Sequence, residues 1–247
     1  MSSVRLDASR AGFGGIHGGH LAAVALGAMA SLIGGDRPPR SLTLALLSPI
    51  AGGELGVLPK IEHAGRTLTA ATVRLRQNGT TAATGMAIFG AARPGPARVD
   101  RSMPDVPPPE ECQPLAAKPV PGSDGLGIEH RPAAAPLPLS GSNLARILVW
   151  MRLSGDRPID AASALVLADG AVPALYGCLD AFVPIPTIEL GAQFADIGAA
   201  TRSPWVLGVF DHLRAADGYS VEDAELWTPD GRLVLSGRQL RRVLSRR

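Results

Sequence analysis

The stretch with the clearest chemical content is Leu167-Ala168-Asp169-Gly170, followed shortly by Pro173. Ahead of it, Asp160 is a suitable N-cap for the apolar run Ala161-Ala162-Ser163-Ala164-Leu165-Val166-Leu167. A proline inside a helix clashes with the carbonyl four residues earlier, and here that carbonyl belongs to Asp169. The helix should therefore kink or restart between 169 and 173, leaving the N–H groups of Gly170 and Ala171 without helical partners. Such donors can receive a developing oxyanion, and a carboxylate beside them can orient or deprotonate a water. The plainer alternative is that Asp169 caps a second helical segment, and the residue type alone favours that.

A second cluster is His17-Gly18-Gly19-His20. Two histidines three apart could hold a metal, but no third ligand accompanies them, and the glycines suit close backbone packing. No metal and no cofactor is expected. His17 is expected to line a pocket or to pack between domains. Cys112 and Cys178 stand far apart, without CxxC or Cys/His spacing, and read as reduced thiols of a cytoplasmic protein.

These residues need a scaffold, and the composition allows a large one. Of the 247 residues, 46% are hydrophobic and 19% charged, which excludes a disordered chain. A formal net charge of +2 gives no reason to expect a nucleic-acid partner. The apolar run Leu21 to Ile33 is shorter than the ~20 residues a membrane span needs. It lacks the compact positive start of a leader, so it reads as a buried helix without membrane insertion.

Three blocks follow from the pattern. Residues 1–91 form an N-terminal domain, residues 92–140 a proline-rich linker lying on the surface, and residues 141–247 a C-terminal domain. The outer blocks repeat an order of parts. In the first, a helix near 16–33 precedes strand candidates at 41–47, 53–63, 67–77 and 80–89. In the second, a helix near 160–179 precedes 187–194, 205–214, 219–227 and 232–243. Asn78-Gly79 and Asp230-Gly231 are strong hairpin signals within these runs. The expected class is α+β: a double hot-dog, with two antiparallel sheets each wrapping a long helix.

The ordered motifs then point to a family. Leu167-Ala168-Asp169-Gly170, Pro186-Thr187-Ile188-Glu189-Leu190 and Trp205-Val206-Leu207 carry the resemblance first. Glu225-Leu226-Trp227, Asp230-Gly231-Arg232-Leu233-Val234 and Ser236-Gly237-Arg238-Gln239 continue it, with Phe13-Gly14-Gly15 and Gly65-Arg66-Thr67 in the first half. The set resembles the acyl-CoA thioesterase II family. That resemblance implies hydrolysis of acyl-CoA to free fatty acid and CoA by water attack, with Asp169, Thr187 and Gln239 around the water. The interval from Asp169 to Thr187 is shorter here than in well-known members, implying a trimmed loop.

The bland readings are that Thr187 merely opens a strand and that Gln239 faces solvent. His-Gly-Gly also opens the helix of single-domain hot-dog thioesterases, so Gly18 and His17 are expected at the pocket, with Gly170 as oxyanion donor. At the hairpin position of Gln239 the first half has Ala87, and so lacks one catalytic partner. Arg238, Arg241, Arg242, Arg246 and Arg247 form either a solvated basic tail or, through Arg241 or Arg242, a grip on CoA phosphates. The alternative function is a non-catalytic acyl-CoA or acyl-chain binding protein on the same scaffold. A hydratase would need a catalytic His, for which only His212 offers. Hot-dog sheets pair edge to edge, so a homodimer or higher homo-oligomer is expected.

Overall fold

Alternating apolar and polar residues form strands in this protein, and helices fill the spaces between. The structure, a computed structural model, describes residues 2–12, 14–34, 37–115, 126–155, 157–195 and 203–244. The first-half strands are β1 (Ser2–Leu6), β2 (Ala11–Gly12), β3 (Gly15–Ile16), β4 (Pro39–Leu46), β5 (Gly53–Ala64), β6 (Leu68–Gln77) and β7 (Thr80–Gly90). The second half holds β8 (Ile128–Pro132), β9 (Arg146–Leu153), β10 (Thr187–Phe194), β11 (Val206–Ala216), β12 (Tyr219–Trp227) and β13 (Leu233–Arg242). The helices are α1 (Gly18–Ile33) and α2 (Ala161–Ala168). Asn78 and Gly79 take φ of 51° and 81° between β6 and β7, as a tight hairpin turn requires.

Eleven strands make one antiparallel sheet in the order β1-β5-β6-β7-β4-β10-β13-β12-β11-β9-β8. The first five strands and the next five repeat one topology, with β9 to β13 in the places of β1 and β4 to β7. The expectation of two separate sheets is corrected here. β4 and β10 pair directly, with Ala45 opposite Glu189 and Ser41 opposite Gln193, so each half closes an open edge on the other.

The expectation of two long helices is corrected as well. α1 runs for 16 residues and buries Leu21, Ala22, Ala25, Leu26 and Met29 at helical spacing. α2 lasts only eight residues, opened by a capping box between Asp160 and Ser163. It stops at Ala168, and the chain resumes only as a 3-10 turn over Ala174–Gly177, because Pro173 forbids continuation. Among the described residues no helix is long and apolar enough to cross a membrane.

Part of the proline-rich segment is ordered against the second half. Ile128–Pro132 forms β8 at the sheet edge, where a proline removes no needed donor. Pro107 accepts from the Trp150 indole at 2.8 Å, and Met103, Val106 and Cys112 pack with Trp150, Trp205 and Trp227.

Candidate active site

The broken end of α2 leaves carbonyls that no helical N–H can reach, and side chains from three other elements take them. The Ala168 carbonyl accepts from Gln239 Nε2 at 2.8 Å. The Asp169 carbonyl meets His17 Nε2 at 2.7 Å, and that of Gly170 meets His130 Nε2 at 2.8 Å. A carbonyl oxygen only accepts, so both histidines carry a hydrogen on Nε2. The loop bearing Asp169 is thereby fixed from β13, from the entrance of α1 and from β8.

The Asp169 side chain is only 4% exposed. Its Oδ2 accepts the Gly19 N–H at 2.9 Å, in the first turn of α1, and lies 3.2 Å from His17 Nε2. Its carboxylate thus caps a helix, but the helix is α1 from the other half of the chain, whose dipole favours a negative charge there. Glycine is required for this approach. A Cβ on Gly18 would lie 2.9 Å from Asp169 Oδ2, and one on Gly19 would lie 2.6 Å from the Leu165 carbonyl oxygen.

Oδ1 accepts from Thr187 Oγ1 at 2.9 Å. The same hydroxyl stands 3.0 Å from Gln239 Oε1 and receives Arg241 Nη1 at 2.8 Å. Arginine can only donate, so Thr187 accepts from Arg241 and its single hydrogen is left for Asp169 or Gln239.

On the Oδ2 side, Arg10 Nη1 stands 3.4 Å from His20 Nε2, and His20 Nδ1 stands 3.4 Å from His17 Nδ1. Arg10 must donate to His20, which then carries its hydrogen on Nδ1 and donates to His17. That polarity agrees with the tautomer the Asp169 carbonyl demands. Burial, reinforced by His17 and Arg10, pushes the His20 pKa down to about 4.

Of these groups, His17, Asp169, Thr187 and Arg241 form one wall of a cleft of about 240 Å³ between the halves, whose apolar lining includes Leu21, Leu46, Ile50, Leu126, Val172 and Ile185. A family model described as the acyl-CoA thioesterase C-terminal domain matches residues 104–243, and one described as the acyl-CoA thioesterase N-terminal domain matches residues 6–90. The chain belongs to the acyl-CoA thioesterase family. It is a thioester hydrolase.

No curated protein matches this thioesterase in sequence. Among solved structures it is similar to a conserved protein of unknown function with hot dog fold from Alicyclobacillus acidocaldarius. That match has 27% identity and a TM-score of 0.92, covering 99% of this chain and 93% of that one. A protein of Novosphingobium aromaticivorans put forward as a thioesterase is 26% identical, with a TM-score of 0.83 over 98% and 95% of the two chains. An acyl-CoA thioesterase II from Mycobacterium marinum shares the fold at 20% identity, with a TM-score of 0.75 over 93% and 89%.

Of the residues singled out from the sequence of this thioesterase, Asp169, Thr187 and Gln239 come together; Asp169 and Thr187 line the cleft with His17, Gly18 and Gly170, and Gln239 is buried behind it. Two expectations are corrected. The Gly170 N–H is not free, because it donates to the Leu167 carbonyl at 3.0 Å as the helix tightens into its last turn. Arg241 is no surface phosphate grip, because its side chain is 5% exposed and committed to Glu222 and Thr187. Arg242 is exposed. Arg246, Arg247 and Phe13 lie outside the described residues. Among the described residues no group of three or more His, Cys, Asp and Glu could hold a metal ion.

Sequence reasoning missed Glu222, His130 and the Arg10–His20 pair. For Glu222 a signal existed. It shares the inward phase of β12 with Ser220, Ala224 and Leu226, where a carboxylate is out of place unless paired. Arg241, two residues beyond Gln239, shares its face in the same way.

Proposed function

We propose that this thioesterase hydrolyses acyl-CoA to a free fatty acid and CoA by direct water attack, with Asp169 as the base. Water adds to the thioester carbonyl carbon while Asp169 takes its proton. The C–S bond then breaks, and the CoA thiolate leaves and is protonated. Each carboxylate oxygen has two lone pairs, so Asp169 can hold a water while keeping its bonds to Gly19 and Thr187. Thr187 and Gln239 fix the side of the carboxylate on which that water sits.

The Gly170 N–H is occupied, so the oxyanion site moves to the first N–H of α1, at Gly18. A helix N-terminus is a ready anion site, and Gly18 leaves room for a substrate oxygen to approach. The apolar lining suits an acyl chain. Arg242, exposed on the face of β13 opposite to cleft-lining Arg241, is the remaining candidate for CoA phosphates at the cleft's outer rim.

The observation that carries this reading is the meeting of Asp169 and Thr187 in the wall of one cleft, with buried Gln239 behind them, from positions far apart in the chain. Its test is free-thiol release over a panel of acyl-CoAs of increasing chain length. Asp169→Asn should lower turnover by ~10²–10⁴ with an unchanged circular dichroism spectrum. Undiminished turnover in that variant removes Asp169 from the mechanism, and tight binding without turnover by the wild type would make the chain a binder instead.

A further inference from the structure

Below the triad lies a charged pair that water attack does not require. Glu222 on β12 is fully buried, and Arg241 on β13 is 4% exposed. Arg241 Nε donates to Glu222 Oε1 at 2.7 Å, and Nη2 lies 2.7 Å from the same oxygen without the alignment of a directed hydrogen bond. Glu222 Oε2 accepts the Ala174 N–H at 2.8 Å, at the start of the 3-10 turn after Pro173. A buried ion pair is weak evidence for stability, since apolar replacements of similar size often serve as well. The first half shows such a replacement. Glu222 pairs with Gln239 as Ala71 pairs with Ala87, and Arg241 pairs with Thr187 as Phe89 pairs with Pro39.

What the pair does is legible in its geometry. Arg241 Nη2 lies 3.7 Å from Asp169 Oδ1. A guanidinium closed onto a carboxylate stabilises its charge and makes it a poorer base. Glu222 instead engages Nε and faces Nη2, and only Nη1 is left to reach Thr187. We propose that Glu222 is a positioning residue that neutralises Arg241, so that Arg241 orders the Thr187 hydroxyl and stays at a loose 3.7 Å from Asp169 instead of closing to a direct hydrogen bond. This inference rests on Asp169 being the base.

The titratable groups packed beside Glu222 and Arg241, His212 and Tyr176, do not supply a competing charge. His212 on β11 lies opposite Glu222, and burial holds its pKa down. Tyr176, in the 3-10 turn near Arg241, is pushed well above the usual phenol range by burial. His17, on the far side of Asp169, donates through Nε2 to its carbonyl. The groups that meet around Thr187 are therefore Asp169, Arg241 and Glu222, with His17 Nε2 3.2 Å from the other Asp169 oxygen.

The experiment compares the full chain with Glu222→Gln, which keeps the shape and removes the charge. We expect kcat about tenfold lower at neutral pH with KM retained, and the acid limb of the kcat profile about one pH unit lower, as Arg241 turns to Asp169. Arg238→Gln, which breaks an exposed pair with Asp223 on the same two strands, should change neither. A folded Glu222→Gln protein with the wild-type kcat and profile overturns the inference. Should that variant fail to fold, Arg241→Lys takes its place. It keeps the charge but loses the fork, and an unchanged kcat there overturns the inference equally. Turnover that survives Asp169→Asn sinks the base itself. A dead Asp169→Asn beside a normal Glu222→Gln sinks only the positioning role.

Discussion

The two halves of this thioesterase can be laid over one another strand by strand, yet one is polar where the other is not. β4 on β7 sets Leu42 against Ala87 and Pro39 against Phe89, with a register shift between Pro39 and Ser41. β10 on β13 sets Leu190 against Gln239 and Thr187 against Arg241, with the same shift between Thr187 and Glu189. Where the second half places Thr187, Gln239, Arg241 and Glu222, the first places Pro39, Ala87, Phe89 and Ala71. Of these, Ala71, Ala87 and Phe89 are core residues. The difference teaches that the sheet is a shared frame and that helix length decides what may stand on it. α1 runs long enough to cover its sheet with apolar side chains. α2 stops after eight residues, so its carbonyls and Asp169 must find partners, and the polar strand positions supply them.

The comparison can be broken by making the second half apolar where the first is. Arg241→Met leaves Glu222 buried without its cation and should cost ~3–5 kcal/mol in urea unfolding. Adding Glu222→Ala should recover much of that stability without restoring turnover, whereas two additive losses would mean that the pair is not a unit.

Gln239→Ala, the residue of the first half, strips the Ala168 carbonyl of its donor and Thr187 of a partner. We expect thiol release ~10²-fold lower and ~1–3 kcal/mol lost from an unsatisfied buried group. Gly19→Ala drives a Cβ against the α2 backbone and should lower thermal stability by ~1–3 kcal/mol.

The smallest effect concerns pH. His20 is held near pKa 4 in the fold and would return to ~6.5 on unfolding. Between these values the unfolded chain binds more protons, so stability falls as pH drops through that window. His20→Gln should flatten this part of the stability profile measured by denaturant titration, and an unchanged slope would place the acid sensitivity elsewhere.

Much of this architecture was legible before any coordinates. Period-two runs located β4 to β7 and β10 to β13, Asn78-Gly79 located a hairpin, and Pro173 located the end of α2, because each rests on neighbours a few residues apart. β1 and β9 escaped for local reasons too. Ser2–Leu6 is almost wholly exposed and has no hydrophobic period, and Arg146–Leu153 is a near-continuous apolar run that alternation cannot reveal.

Tertiary structure alone decided the rest. Only the β4–β10 pairing turns two sheets into one. It also brings the N-terminus of α1 to Asp169, and only the register of β12 on β13 sets Glu222 under Arg241. Periodicity and proline act along the chain, so the sequence determines them. The partner of a buried charge is set by which strands meet, and that is fixed only when the whole sheet closes.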